Sequence, residues 1–298
     1  MNYYNEIKNE LINNEVYKRV KDYSKNKNDL TTYYNVGKLL IEAQGGEERA
    51  KYGDKLIKEY SEKLTKEIGK GYSTRNLKYM RQFYLFQKGQ PVVAQIPWTH
   101  YTILFSLKND AKMNYYIEQI NNYNLSKREL IQAIKNNEYE RLSDETKSKL
   151  INKEENTIED FIKNPILIKN KYNYTEISEK ILKQLILEDI DNFLKELGSG
   201  FCYIENEYKI KIGNTYNYID LLLYNIEFNC YTVVELKVSE LKKEHIGQIH
   251  VYMNYIDNNL KKVNQDKTIG IIICKKNNKY IMEYCSDDRI MTKEYELV

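Results

Sequence analysis

The chain has 298 residues, 42% of them hydrophobic, with only 3 prolines and a formal net charge of +3. That composition excludes a long disordered tract, and the charge is too small to argue for nucleic acid unless it is clustered. The length suits two domains, and with no apolar run of membrane-spanning length a soluble, cytoplasmic protein without a membrane partner is expected.

Apolar residues recur at helical spacing in Tyr33, Tyr34, Val36, Leu39 and Leu40, and again in Leu56, Ile57, Tyr60, Leu64 and Ile68. Gly69 and Gly71 end that second helix, and Ser73 or Thr74 caps the next, over residues 75–86. A loop is expected over 89–97, then a packed segment over 98–107. Ser126 opens a helix to Ile134, with Glu129 completing a capping box. Residues 1–155 are therefore expected to form a helical domain. Residues 156–170, polar, weakly periodic and broken by Pro165, are expected to be a linker.

The rest, 171–298, changes character. One long amphipathic helix is expected from Tyr174 to Leu197, closed by Gly198 and Gly200. Strands follow over 201–212, 217–224 and 231–238, then a helix over 242–259, a strand over 268–275 and a short strand over 280–285. This order points to an α/β sandwich around a mixed sheet.

Two of those strands carry acids where apolar residues belong. Asp220 lies in YIDLLLYN (218–225), and Glu235 with Lys237 in VELKV (234–238). Triplets of the form Glu-x-Lys also begin at Glu6, Glu145, Glu207 and Glu240, so the triplet alone is weak. Its setting between valines is what separates Glu235. Residues two apart in a strand share a face, so Glu235 and Lys237 point together while Leu236 points into the core. Asp220 precedes Glu235 by 15 residues across a turn expected at 225–229, so adjacent strands bring the carboxylates together. Two carboxylates suit Mg²⁺ or Mn²⁺, and Lys237 would orient or deprotonate the attacking water or offset transition-state charge. A structural ion pair fits the same residues, and their pattern leaves both readings open. Gln248 and Tyr252, four apart on the next helix, share a face that would lean over the site.

In the N-terminal half, Arg75, Lys78 and Arg81 recur on one helical face with Gln82, after a short glycine-containing connection resembling a helix-turn-helix. These cations would reach phosphates, and Asn76 or Gln82 base edges; a solvated face is the alternative. His100 is expected to be packed. His245 and His250, five apart, miss metal spacing. Cys202, Cys230, Cys274 and Cys285 form no CxxC pair and are expected to be reduced apolar fillers.

Asp220, Glu235-Leu-Lys237 and Gln248-x-x-x-Tyr252 together resemble the PD-(D/E)XK nuclease superfamily, the Gln–Tyr pair its RecB-like branch. GGEERAKYG (45–53), GKGYSTRNLKYMRQFY (69–84), WTHY (98–101) and SKREL (126–130) resemble the N-terminal domain of YhcG-like bacterial proteins, and FLKELGSGF (193–201) their C-terminal half. The resemblance implies an α+β protein: a mainly helical DNA-binding domain, then a restriction-endonuclease-like α/β sandwich with a mixed central sheet. It implies metal-dependent hydrolysis of DNA phosphodiesters, with Asp220, Glu235, Lys237, Gln248 and Tyr252 as site residues. A homodimer would be needed for one site per chain to cut both strands. The family also places a glutamate on the first helix of the nuclease domain, where this chain has Lys183, with Glu179 and Glu188 nearby. A nuclease fold that has lost activity and serves as a DNA-binding or regulatory subunit is therefore the competing expectation.

Overall fold

The computed structural model describes residues 3–19, 25–47, 54–89, 96–152, 154–155, 157–285 and 287–298. The chain divides into two compact units, 1–136 and 137–298. Part of the expected loop, 90–95, and residues 48–53 of the GGEERAKYG stretch lie outside the described residues.

The first unit is helical: α1 (Tyr3–Arg19), α2 (Lys25–Ala43), α3 (Asp54–Glu67), α4 (Thr74–Gln87), α5 (Trp98–Leu104), α6 (Asp110–Tyr123) and α7 (Lys127–Lys135). Caps set several starts. The Ser73 hydroxyl accepts from the Asn76 amide to open α4, and Ser126 and Glu129 form the expected capping box on α7. Ile7, Leu11, Val36, Leu40, Ile57, Leu64, Leu77 and Met80 interlock as one core. Gly37 lets α2 approach α4, since a Cβ there would lie 2.1 Å from the Met80 carbonyl oxygen.

The second unit begins with α8 (Asp144–Asn152), α9 (Ile158–Phe161), β1 (Ile166–Ile168), α10 (Glu179–Glu188) and α11 (Ile190–Leu197). It continues with β2 (Phe201–Ile212), β3 (Thr215–Asn225), β4 (Cys230–Glu240), α12 (Lys243–Asn259), β5 (Ile269–Lys276), α13 (Lys279–Glu283) and β6 (Ile290–Leu297). Six strands form one mixed sheet in the order β1-β6-β5-β4-β3-β2. The pairs from β1 to β4 are parallel, and those from β4 to β2 antiparallel. Period-two alternation buries both faces: Val234 and Leu236 pack with Leu182, Leu185 and Phe193, whereas Val233 and Ile272 pack with Ile249 and Met253 of α12. The chain is thus α+β, a helical region followed by a sandwich around a mixed sheet.

Three expectations need correction. Residues 156–170 are no linker: Ile162, Ile166 and Ile168 are core residues and β1 is a strand of the sheet, so the second unit starts at Asn137. The helix expected over 174–197 starts at Glu179 and breaks at Asp189, whose carboxylate accepts from the Asn192 side chain. Residues 280–285, expected as a strand, form α13 up to Glu283, and the last strand is β6. The polar run Thr292-Lys293-Glu294 hid that strand, because Lys293 is buried with its ammonium on Glu159.

Candidate active site

The antiparallel ladder between β3 and β4 ends at the pair Leu221–Val234. Beyond it β4 stays with β5 on its other side, while β3 continues with β2 alone. The next residues, Asp220 and Glu235, stand in the fork. The Asp220 carboxylate accepts from the Leu236 amide at 3.0 Å, and Glu235 Oε1 lies 3.5 Å from the Asp220 amide. Each carboxylate thus reaches for a backbone donor that the open ladder leaves unpaired. The sheet does bring the two acids together.

Glu235 is only 2% exposed and Asp220 is half-buried. Burial, then the charge of Asp220, pushes the Glu235 carboxyl up to about 7, against the pull of Lys237. Lys237 Nζ lies 3.2 Å from Glu235 Oε2 and 3.9 Å from Glu179 of α10. Lys183, one turn after Glu179, donates to Asp220 at 3.2 Å and to Glu207 of β2 at 2.9 Å. Burial works against the Lys183 ammonium, yet these two carboxylates outweigh it and hold its pKa above the ordinary value. Glu207 is correspondingly held below the usual carboxylate range by Lys183. Three acids, two lysines and buried Glu235 thus share one end of the sheet.

A raised carboxyl pKa means that folding favours the protonated form. The contribution of Glu235 to stability is full below pH 4.5 and is lost as pH rises through about 7. In metal-free protein, Glu235→Gln should therefore stabilise the second unit at pH 8 by up to about 3 kcal/mol, with no gain near pH 4. Urea unfolding at both pH values measures this, and equal wild-type and variant stability at pH 8 would refute it.

Gln248 and Tyr252 share the α12 face as expected, but they bond each other at 3.1 Å, and Tyr252 packs in the core. Among the described residues neither bonds to the acid pair. Glu188, paired with Gln184, is not at the site, and His245 sits near Lys237 with its pKa lowered by burial and then by that charge. Among the described residues, no cluster of three or more Asp, Glu, His or Cys side chains is placed to ligate a metal. The four cysteines are free; Cys230 and Cys274 are buried fillers as expected, whereas Cys202 is exposed.

In the first unit Arg75 is exposed and packs on the Tyr79 ring. Lys78 bonds Asp54 at 2.7 Å, and Arg81 lies 3.9 Å from the same carboxylate. The expectation takes Asn76 or Gln82 to base edges; in the structure their side-chain amides donate to the carbonyl oxygens of Gly71 and Phe105, which helps to hold α4 in place. His100 is packed as expected, bonded to the Leu125 carbonyl.

Residues 159–298 match the YhcG PDDEXK nuclease domain, and residues 9–141 the DUF1016 N-terminal domain. The chain belongs to the YhcG-like PD-(D/E)XK nuclease family. Its second unit is a nuclease domain of a class that generally uses divalent metal ions. The chain is 27% identical over 283 residues to "Putative nuclease YhcG" of Escherichia coli (strain K12), across 82% of this chain and 76% of that protein. It is also similar to the crystal structure of a repair endonuclease from Pyrococcus abyssi, at 18% identity and a TM-score of 0.30, covering 41% of this chain and 48% of that one. A structure of an EndoMS–dsDNA2 complex matches at 19% identity and a TM-score of 0.29, over 43% and 48%. The chain spans about half the length of these two structures.

Glu207 escaped the sequence reasoning, although a signal existed. Gly213-Asn214 between alternating strands marks a two-residue hairpin, and counting back from Ile212–Thr215 puts Glu207 opposite Asp220.

Proposed function

We propose that the second unit is a divalent-metal-dependent DNA endonuclease and that the first unit contacts DNA. The observation that supports this best is the fork, where Asp220 and buried Glu235 converge beside Lys237. The donor set fits a hard cation: two carboxylates in close repulsion, one of them desolvated enough to raise its pKa. Asp220 and Glu235 would hold Mg²⁺ or Mn²⁺, which when bound supplies Lewis acidity and a more acidic water. Lys237, steadied between Glu235 and Glu179, keeps an ammonium at the reacting phosphate, orienting the attacking water and offsetting charge as it develops. Glu179 is the residue of α10 that supplies the helix acid, one turn before the expected place. Gln248 and Tyr252 shape the wall on the α12 side. In the first unit, Arg75 contacts phosphates directly, and Lys78 and Arg81 do so by exchanging Asp54 for DNA. Cutting both strands would take two chains.

A second reading has one observation in its favour. The Lys183 ammonium is bonded to Asp220, where a cation would otherwise sit, which suits a DNA-binding subunit that no longer cleaves. Incubating the purified protein with DNA, with and without Mg²⁺ or Mn²⁺, separates the two readings. Cleavage that chelator abolishes supports the nuclease, and no cleavage with no saturable Mg²⁺ binding by calorimetry supports the inactive subunit.

A further inference from the structure

Beyond the fork, β2 and β3 continue as a two-stranded ribbon that no other strand joins among the described residues. Its two faces differ. Ile210 and Ile219 are buried against the α12-side core, with Tyr208 packed beside them. The opposite face carries the cross-strand pairs Lys209–Tyr218 and Lys211–Tyr216, all four exposed, both tyrosines at 53%. Lys209 Nζ lies 3.9 Å from the centre of the Tyr216 ring and Lys211 Nζ 5.9 Å. From Tyr208 to Ile219 the ribbon contains no acid.

Alternation carries that exposed face straight into the site. Residues 216, 218 and 220 follow one another at period two, so Asp220 heads the same row. The register likewise brings Glu207, bonded with Asp220 to Lys183, opposite Asp220 and one step inward from Lys209–Tyr218. A strand rises about 3.4 Å per residue, so Tyr216 and Tyr218 stand ~7 Å apart. That is about twice the ~3.4 Å between stacked bases of a duplex strand. Rings so spaced cannot enter a stacked duplex, but they can each take the face of a base splayed out of an unpaired strand, while the interleaved lysines meet its phosphates.

We propose that this ribbon face is the binding track for an unpaired DNA strand next to the scissile phosphate, so that the substrate carries a single-stranded segment. The inference rests on the nuclease reading for the position of the cut, but the binding it describes does not need cleavage. Its occupant follows from charge, from the aromatic spacing and from continuity with the acid pair.

The test is fluorescence anisotropy of the full chain in EDTA, with a labelled duplex bearing an unpaired tail and its blunt counterpart. Tyr216→Leu with Tyr218→Leu keeps apolar bulk suited to the strand and removes the π faces; it should weaken binding of the tailed probe about tenfold or more and leave the blunt probe unchanged. Tyr216→Phe with Tyr218→Phe should bind the tailed probe as the wild type does. Lys209→Gln with Lys211→Gln should lower the salt slope on the tailed probe by about 1.4, two contacts' worth for a single strand. Equal losses on both probes, or no loss with the Leu pair, would overturn the proposal. Because no metal is present, failure of cleavage in a separate assay would sink the nuclease reading and leave this result standing.

Discussion

Asp220→Asn is expected to lower metal-dependent DNA cleavage by about 10³-fold, equivalent to ~4 kcal/mol of transition-state stabilisation. The substitution is nearly isosteric, and its amide oxygen can still accept from the Leu236 amide, so the fork should keep its shape. What disappears is the negative charge that faces Lys183 and that, with Glu235, would bind the cation. Thermal unfolding of the variant should therefore stay close to wild type while saturable Mg²⁺ binding in calorimetry is lost. Lys237→Ala should act differently, cutting turnover and sparing metal affinity, because that lysine contacts Glu235 and Glu179 rather than standing in the metal's place. Cleavage by Asp220→Asn at the wild-type rate would remove this chemistry from the fork. Should the wild type neither cleave nor bind metal, Lys183→Glu becomes the informative variant. It replaces the resident ammonium with the acid expected on this helix, and restored Mg²⁺ binding would identify Lys183 as the cause.

The second large effect lies in the scaffold. Arg141 forks onto Glu196, with NH2 2.9 Å from Oε1 and NH1 bonded to Oε2, and it also donates to the Pro165 carbonyl at 2.7 Å. Glu196 accepts from the Leu167 amide at 2.9 Å as well, and both side chains are only 9% exposed. This pair ties the start of the second unit and β1 to the end of α11. Glu196→Ala takes the carboxylate away from a buried guanidinium and the acceptor away from a strand amide, and should destabilise the second unit by about 3–5 kcal/mol in urea unfolding. Arg141→Met combined with Glu196→Ala should recover much of that loss, since an apolar pair asks for no compensation. A double variant as unstable as the single one would show that the packing, not the stranded charge, carries the cost.

Much of this architecture was legible along the chain. The strands around Asp220 and Glu235 announced themselves by apolar, β-branched runs with acids set inside them, and a five-residue turn predicted their approach. The capping box at Ser126 and the helix carrying Gln248 were equally visible, because such signals are local and repeat with the period of the element. The misjudged segments were those where tertiary partners override local pattern. Residues 156–170 look like a linker because Lys163 and Asp160 are charged, yet both are buried, paired with Glu138 and Lys149. Lys293 disguised the last strand in the same way.

The chain by itself determined the identities of the acids and the sheet that carries them, since strand period and turn position follow from neighbouring residues. Only the tertiary structure decided what surrounds them: that Lys183 meets Asp220, that Glu179 stands beside Lys237, and that Asn76 and Gln82 are spent on backbone carbonyls. Apart from Asn76 and Gly71, these contacts join residues tens of positions apart, and side-chain pairing across that distance depends on how elements pack on one another, which no local periodicity encodes.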